Sequence, residues 1–205
     1  MSSSEPTSFN SIAYWRNRYA KGQNSGSGSY GQVAEFKAKV LNEFIGENSS
    51  SRCIEFGCGD GNQLSMLKIP FYLGLDVAPD AVQLCIEKYR HDDSKSFMLY
   101  DPKYFANNSF ITADLTLSMD VILHLIEDEI YEDYMNALFA ASTKNVAIFT
   151  TATAVQPGKM APHNKFRDHR PWVHDFATDF REIKEVLAPR ELGYPEGTGF
   201  YFYSH

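Results

Sequence analysis

The segment Arg52–Asp76, RCIEFGCGDGNQLSMLKIPFYLGLD, constrains this chain more than any other. It reads as a strand over Arg52–Phe56, a glycine-rich turn, a helix over Asn62–Lys68 and a second strand over Phe71–Leu75 that ends on Asp76. That order is the first half of a β-α-β nucleotide site. A turn of glycines lets a ligand approach the backbone, and the next strand delivers a carboxylate.

Glycine spacing narrows the ligand. A dinucleotide site places glycine at the first, third and sixth positions so that a pyrophosphate can rest on a helix N-terminus. Counted from Gly57 the sixth position is Asn62, and counted from Gly59 it is Leu64. Both counts fail. What stands instead is Glu55 followed by Gly57, Gly59 and Gly61, an E-x-G-x-G-x-G run that includes Cys58 and resembles motif I of the class I S-adenosylmethionine-dependent methyltransferases. The resemblance implies a Rossmann-like three-layer α/β sandwich with a mostly parallel, seven-stranded or trimmed sheet. It also implies that Asp76, with Val77 beside it, meets the ribose hydroxyls of S-adenosylmethionine, a role that suits a carboxylate because it accepts two donors at once.

The resemblance extends to the N-terminal side. YWRNRYAKGQNSGSGSYGQVAEFKAKVLNEFI is similar to a helix and Ser/Gly loop that fold over the cofactor in one subset of that family. On that likeness residues 1–50 form an arm or lid on a catalytic domain of residues 51–205, within one domain overall. Tyr14, Arg18, Tyr19, Ser27, Gly28, Ser29 and Tyr30 then border the cofactor, with Arg18 meeting its carboxylate. Composition alone would make residues 22–31 a flexible linker. Residues 1–10 read as a mobile polar terminus. Ile12, Trp15 and Tyr19 fall at helical spacing within Ser11–Lys21, and Gln32–Phe44 forms an amphipathic helix.

Beyond the motif, a helix is expected over Ala78–Arg90 with Val82, Cys85, Ile86 and Tyr89 buried, then a strand over Ser96–Tyr100. Asp101 follows that strand; the family likeness places it near adenine, while capping of the next turn explains it equally. Ala113–Ser118 reads as a fourth strand. MDVILHLIED after it resembles the family segment beneath the methionine moiety, which puts Asp120, Val121 and His124 at the rim of methyl transfer and makes His124 a candidate general base. The acids from Glu127 to Asp133 suit the dipole of the next helix and call for no metal. Asn145–Thr151 is a fifth strand.

Residues 151–172, TATAVQPGKMAPHNKFRDHRPW, lack periodicity and carry several prolines, as a functional loop would. By the family likeness the loop closes over the acceptor, with His163 or His169 binding it or removing a proton and with Arg170 and Trp172 shaping the pocket. His163, His169 and His174 do not share a helical face, so no metal site is assigned. A helix is expected over Pro171–Val186 with Trp172, Phe176, Phe180 and Ile183 on one face. A final edge strand follows at Phe200–Tyr203, with Glu185–Glu191 its weak partner.

The formal net charge of −7, with no basic block, argues against duplex nucleic acid as a partner. Absence of a run of about 18 apolar residues argues against a membrane span, and the polar start against a secretory signal. A cytoplasmic location is the expectation. Cys53, Cys58 and Cys85 are odd in number and lack zinc-ligand spacing, so free thiols are expected. The sequence thus points to a methyltransferase acting on an oxygen or nitrogen of a small-molecule or saccharide acceptor. Two alternatives stand beside it: a non-catalytic cofactor-binding subunit, and an NAD(P)-dependent oxidoreductase.

Overall fold

Alternation of side chains along the strands sets the layers. The computed structural model describes residues 9–205, so most of the expected mobile terminus lies outside the described residues. Its strands are β1 (Arg52–Phe56), β2 (Phe71–Asp76), β3 (Lys95–Leu99), β4 (Ala113–Met119), β5 (Ser142–Thr151), β6 (Arg181–Leu187) and β7 (Thr198–Ser204). They form one seven-stranded sheet in the order β3-β2-β1-β4-β5-β7-β6, parallel except where β7 runs antiparallel to β5 and β6. Successive residues point to opposite faces of a strand. Ile54, Phe56, Val146, Ile148, Tyr201 and Tyr203 therefore enter one core, and Cys53, Leu115, Leu117, Phe149, Phe200 and Phe202 enter the other.

Helices cover both faces. The first core is closed by α4 (Asp128–Ala140) and α5 (Arg170–Phe176). The second is closed by α2 (Gly31–Asn48) and by Cys85 of α3 (Pro79–Lys88). In α2 the buried residues Val40, Leu41, Phe44 and Ile45 recur at helical spacing, and Phe44 stacks on Phe202 with ring centroids 4.2 Å apart. That helix is thus a layer of the sandwich. Residues 9–30 precede it. Among them lies α1 (Ser11–Ala20), whose first turn is capped by Asn10, the side chain accepting from Ala13 N at 2.7 Å.

Three elements differ from the sequence reading. Asn62–Lys68 is not an α-helix; only Gln63–Met66 coils, as a 3₁₀ turn. The helix expected over Pro171–Val186 stops at Phe176, and Arg181–Leu187 is the edge strand β6. Phe176 and Ile183 are accordingly exposed instead of sharing a buried face. Ile86 of α3 is exposed as well, because only Ala81, Val82 and Cys85 of that helix are buried, Ala81 against Tyr19 of α1. Among the described residues no helix is long and apolar enough to cross a membrane.

Candidate active site

Between β1 and β4 the strand order changes direction, since β2 and β3 lie on one side and β5 to β7 on the other. Open α/β sheets bind ligands at the carboxyl ends of strands where this happens. A cavity lies there, walled by the glycine turn, by Asp76 at the end of β2, by the turn after β4 and by residues N-terminal to α2.

The glycine turn forms its floor. Gly57, Gly59 and Gly61 all have left-handed φ, at 83°, 58° and 67°. A Cβ on Gly57 would meet Val121 Cγ2 at 2.4 Å, and one on Gly59 would meet Ser25 Oγ at 2.3 Å and the Tyr19 hydroxyl at 2.9 Å. Glycine is thus required twice over, by conformation and by the close approach of the N-terminal arm. Asp76 organises the turn from the end of β2: its Oδ2 accepts from Gly59 N and its Oδ1 from Ala78 N, both at 2.9 Å. Burial pushes its carboxyl up to about 6, the backbone donors offsetting part of that. Glu55, on β1, is buried against the Tyr72 hydroxyl, which donates to it, and burial pushes it up to about 7.

The arm is tied across the cavity at three places. At its start, Ser11 N donates to Glu127 Oε1 at 2.9 Å, Ser11 Oγ lies 2.5 Å from Glu127 Oε2, and Ile126 N donates to Ser11 Oγ at 3.0 Å. Midway, Arg16 Nε donates to Val77 O at 2.9 Å and its guanidinium lies 3.5 Å from Asp101. At its end, Asp60 Oδ2 accepts from Ser25 N at 3.0 Å and from the Tyr30 hydroxyl at 2.7 Å, while Asn62 Nδ2 donates to Ser29 O at 2.7 Å. Burial alone would raise the Asp60 carboxyl, but the donors from Ser25, Tyr30 and Asn62 outweigh it and hold it below its usual value.

Opposite the glycine turn, Asp120 follows β4 with a left-handed φ of 56°. Its Oδ2 pairs with Lys37 Nζ of α2 at 2.8 Å. The next turn presents His124, whose Nδ1 lies 2.9 Å from His163 O. A carbonyl only accepts, so Nδ1 carries the proton and Nε2 keeps its lone pair. Burial lowers the His124 pKa from its ordinary value, which keeps the ring neutral near pH 7. Tyr14 stacks on His163 at 4.6 Å, His163 stacks on His124 at 5.4 Å, and Trp15 meets His124 edge-on at 4.9 Å. These four rings join α1, the turn after β4 and the loop after β5.

Of the residues singled out in the sequence, Tyr19, Ser29, Glu55, Gly57, Cys58, Gly59, Asp76, Val77, Asp120, Val121 and His124 line this cavity. Tyr14 and His163 sit at its rim in the ring stack. Ser27, Gly28, Tyr30 and Gly61 support the wall without lining it. Arg18 is turned aside: its Nε donates to Asn24 O at 2.8 Å and its guanidinium lies over Trp15. Asp101 caps its own turn, accepting from Lys103 N at 3.2 Å, and pairs with Arg16 rather than facing the cavity.

Three acceptor-side expectations fall elsewhere. His169 is fully buried on the α4 side of the sheet, its Nε2 2.9 Å from the Tyr203 hydroxyl. Arg170 pairs with Asp168 at 2.7 Å, and Trp172 packs on Phe139. None of the three lines the cavity, because the chain re-enters the core at residue 169 and the loop ends there. The sequence reading also missed Ser11, Trp15, Lys37, Asp60 and Gln63 as wall residues. Trp15 carried a signal in its place within the arm, and Lys37 one in its place on the apolar face of its helix, one turn from Val33, Ala34, Val40 and Leu41. The free cysteines are buried, and among the described residues no three metal-ligating side chains come together.

Neither a family model nor a curated protein matches the chain by sequence. Solved structures do. Magnesium protoporphyrin IX methyltransferase (ChlM) from Synechocystis PCC 6803 with bound SAM superposes with a TM-score of 0.69 at 13% identity, covering 98% of this chain and 100% of that one. The chain has the fold of S-adenosylmethionine-dependent methyltransferases. The N-methyltransferase NodS from Bradyrhizobium japonicum WM9, in complex with S-adenosylhomocysteine, gives 0.68 at 12% identity, over 96% of this chain and 99% of that one. CalS10, an amino pentose methyltransferase from Micromonospora echinaspora, gives 0.62 at 13% identity, over 98% and 99%. The methyltransferase fold thus spans nearly the whole chain, its N-terminal arm included.

Proposed function

We propose that the protein is an S-adenosylmethionine-dependent methyltransferase acting on an oxygen or nitrogen of a small-molecule or saccharide acceptor. The observation that carries the reading is the cavity at the strand switch point, floored by left-handed glycines and bounded by Asp76 and Asp120. The residues present suit that cofactor. Each Asp76 oxygen accepts one backbone N–H and retains acceptor capacity for a ribose hydroxyl. Val77, Tyr100 and Pro102 offer flat apolar contact for adenine, and the glycine turn and Asp120 face the amino-acid end.

When bound, the cofactor supplies a methyl group already activated as a sulfonium. The chain's own tasks are then to align the acceptor and exclude water. Residues 9–30 serve as the lid, tied down by Ser11, Arg16 and Tyr30. His124 Nε2 is the site that takes a proton from the acceptor; groups in that role contribute about 10² to 10⁴ in rate. The neighbours named above act, by their names, on a porphyrin and an amino sugar, which favours a small-molecule or saccharide acceptor here. Net negative charge disfavours duplex nucleic acid.

The test is transfer of labelled methyl from S-adenosylmethionine into a metabolite and sugar-nucleotide extract. Wild-type protein is expected to label an acceptor, and His124→Asn to lower the rate about 10²-fold or more with cofactor affinity retained. Tight cofactor binding without transfer to any acceptor would favour a non-catalytic subunit. Tight NAD binding would favour the oxidoreductase.

A further inference from the structure

Lys37 is an unusual residue to find in this wall. It projects from α2, is 1% exposed, and lies over the Phe149 ring with Nζ 5.1 Å from the centroid. An ammonium has three donors, and among the described residues Lys37 Nζ makes one hydrogen bond, to Asp120 Oδ2. Two donors on a buried cation therefore remain for something in the cavity, which Lys37 lines. A buried charge without its full set of partners is costly, so a ligand that supplies them gains affinity.

Asp120 is prepared in a complementary way. A left-handed backbone is uncommon outside glycine, asparagine and aspartate, and here it directs the carboxylate into the same corner. Gly28 closes that corner from the arm, where a Cβ would meet Asp120 Oδ2 at 2.6 Å. Glu55 is a further acid within reach of the Lys37 charge, and its carboxylate is taken by Tyr72. Arg18, the cation that the family likeness would assign to the ligand's carboxylate, is spent on Asn24 and Trp15.

We propose that Lys37 and Asp120 form a two-charge clamp for the amino-acid end of the methyl donor, Lys37 taking its α-carboxylate and Asp120 its α-ammonium. Without ligand the two neutralise each other; with ligand each gains a partner of opposite sign, and the corner stays electrically balanced. The site therefore selects nucleosides with a zwitterionic tail over those with a cationic tail or none. This rests on the methyltransferase reading above and sharpens it.

Calorimetric titration with S-adenosylhomocysteine, its decarboxylated analogue and methylthioadenosine tests the clamp. Wild-type protein is expected to bind S-adenosylhomocysteine at least about tenfold more tightly than either analogue, the effect of charge-assisted bonds to one carboxylate. Lys37→Met should lose about tenfold for S-adenosylhomocysteine while changing by less than about threefold for the decarboxylated analogue, and Lys37→Arg should recover part of the preference. Equal affinity of wild-type protein for S-adenosylhomocysteine and its decarboxylated analogue overturns the clamp, and that comparison needs no variant. An equal loss for both ligands in Lys37→Met overturns it too, since a merely structural lysine would act that way. If wild-type protein binds none of the three, the methyltransferase reading itself falls and takes the clamp with it.

Discussion

At Asp76 a single carboxylate organises the backbone around it, and the proposed function gives it a second task toward the cofactor. It holds the glycine turn through Gly59 N and starts α3 through Ala78 N, and it lines the cavity, where the proposal has it accept from the ribose hydroxyls. Burial raises its pKa to about 6, so the charged acceptor form is progressively lost as pH falls below that value. S-adenosylhomocysteine affinity should therefore decline between pH 7 and pH 5. Asp76→Asn should bind about ten- to a hundredfold more weakly at pH 7, the equivalent of charge-assisted bonds lost. Glu55, pushed to about 7 in the same cavity, titrates nearby. The informative quantity is thus the ratio of wild-type to Asp76→Asn affinity, which leaves Glu55 in place and should shrink as the solution becomes more acid. A constant ratio in calorimetry across that range would remove Asp76 from the ribose site. Such residues were legible in the sequence because strand, glycine turn and acid are contiguous. Lys37 was passed over although Val33, Ala34, Val40 and Leu41 lie one helical turn from it: a lysine on the apolar face of α2 is a signal, but it becomes a site residue only when α2 packs on the sheet.

At the level of elements, the N-terminal arm shows how pattern and tertiary contact divide the work. Helical spacing located α1, and a family likeness gave it a place over the cavity. The bonds that tie it down lie 116 residues apart in sequence at Ser11 and Glu127, and 30 apart at Tyr30 and Asp60. No local pattern marks pairs at such separations. Ser11→Ala removes the hydroxyl that both donates to Glu127 and accepts from Ile126, two part-buried hydrogen bonds whose loss costs about 1 kcal/mol. Because the loss falls on one element, amide hydrogen exchange in α1 should quicken while the strands keep their protection. Uniform quickening through the sheet would mean that the arm is not an independent unit. The edge strand β6 was misread for a different reason. Phe176, Phe180 and Ile183 fit helical spacing, and REIKEVL is rich in helix formers. Pairing with β7 overrides that propensity, and the strand's charges suit an edge that must not recruit another sheet.

For the molecule as a whole, buried ionisable groups pull stability in opposite directions with pH. His169 is buried neutral, and burial lowers its pKa to about 3. Unfolded chain takes up that proton near pH 6.5 while folded chain does not, so its contribution is complete above pH 6.5 and is lost as pH falls toward 3. Asp76 and Glu55, raised to about 6 and about 7, have the reverse sign: their folded forms bind protons more tightly, so acidification through those values favours the fold. The difference in melting temperature between wild type and His169→Phe isolates the first effect. That difference should move against wild type on going from pH 7 to pH 4.5, by up to about 1.4 kcal/mol per pH unit, or roughly 3 °C per unit for a chain of this size. Parallel melting profiles would show that the imidazole is protonated in the folded protein.

The position of β7 also governs when the protein can be assembled. Among the described residues it is the only strand that pairs with β6, and it lies between β6 and β5 with Phe200, Tyr201, Phe202 and Tyr203 divided between both cores. While a ribosome is still adding residues beyond Thr151, β5 has an open flank and neither core is filled. That interval lasts several seconds at about 5 to 20 residues per second. A nascent chain of this protein therefore waits, one apolar edge unpaired, for its own final strand.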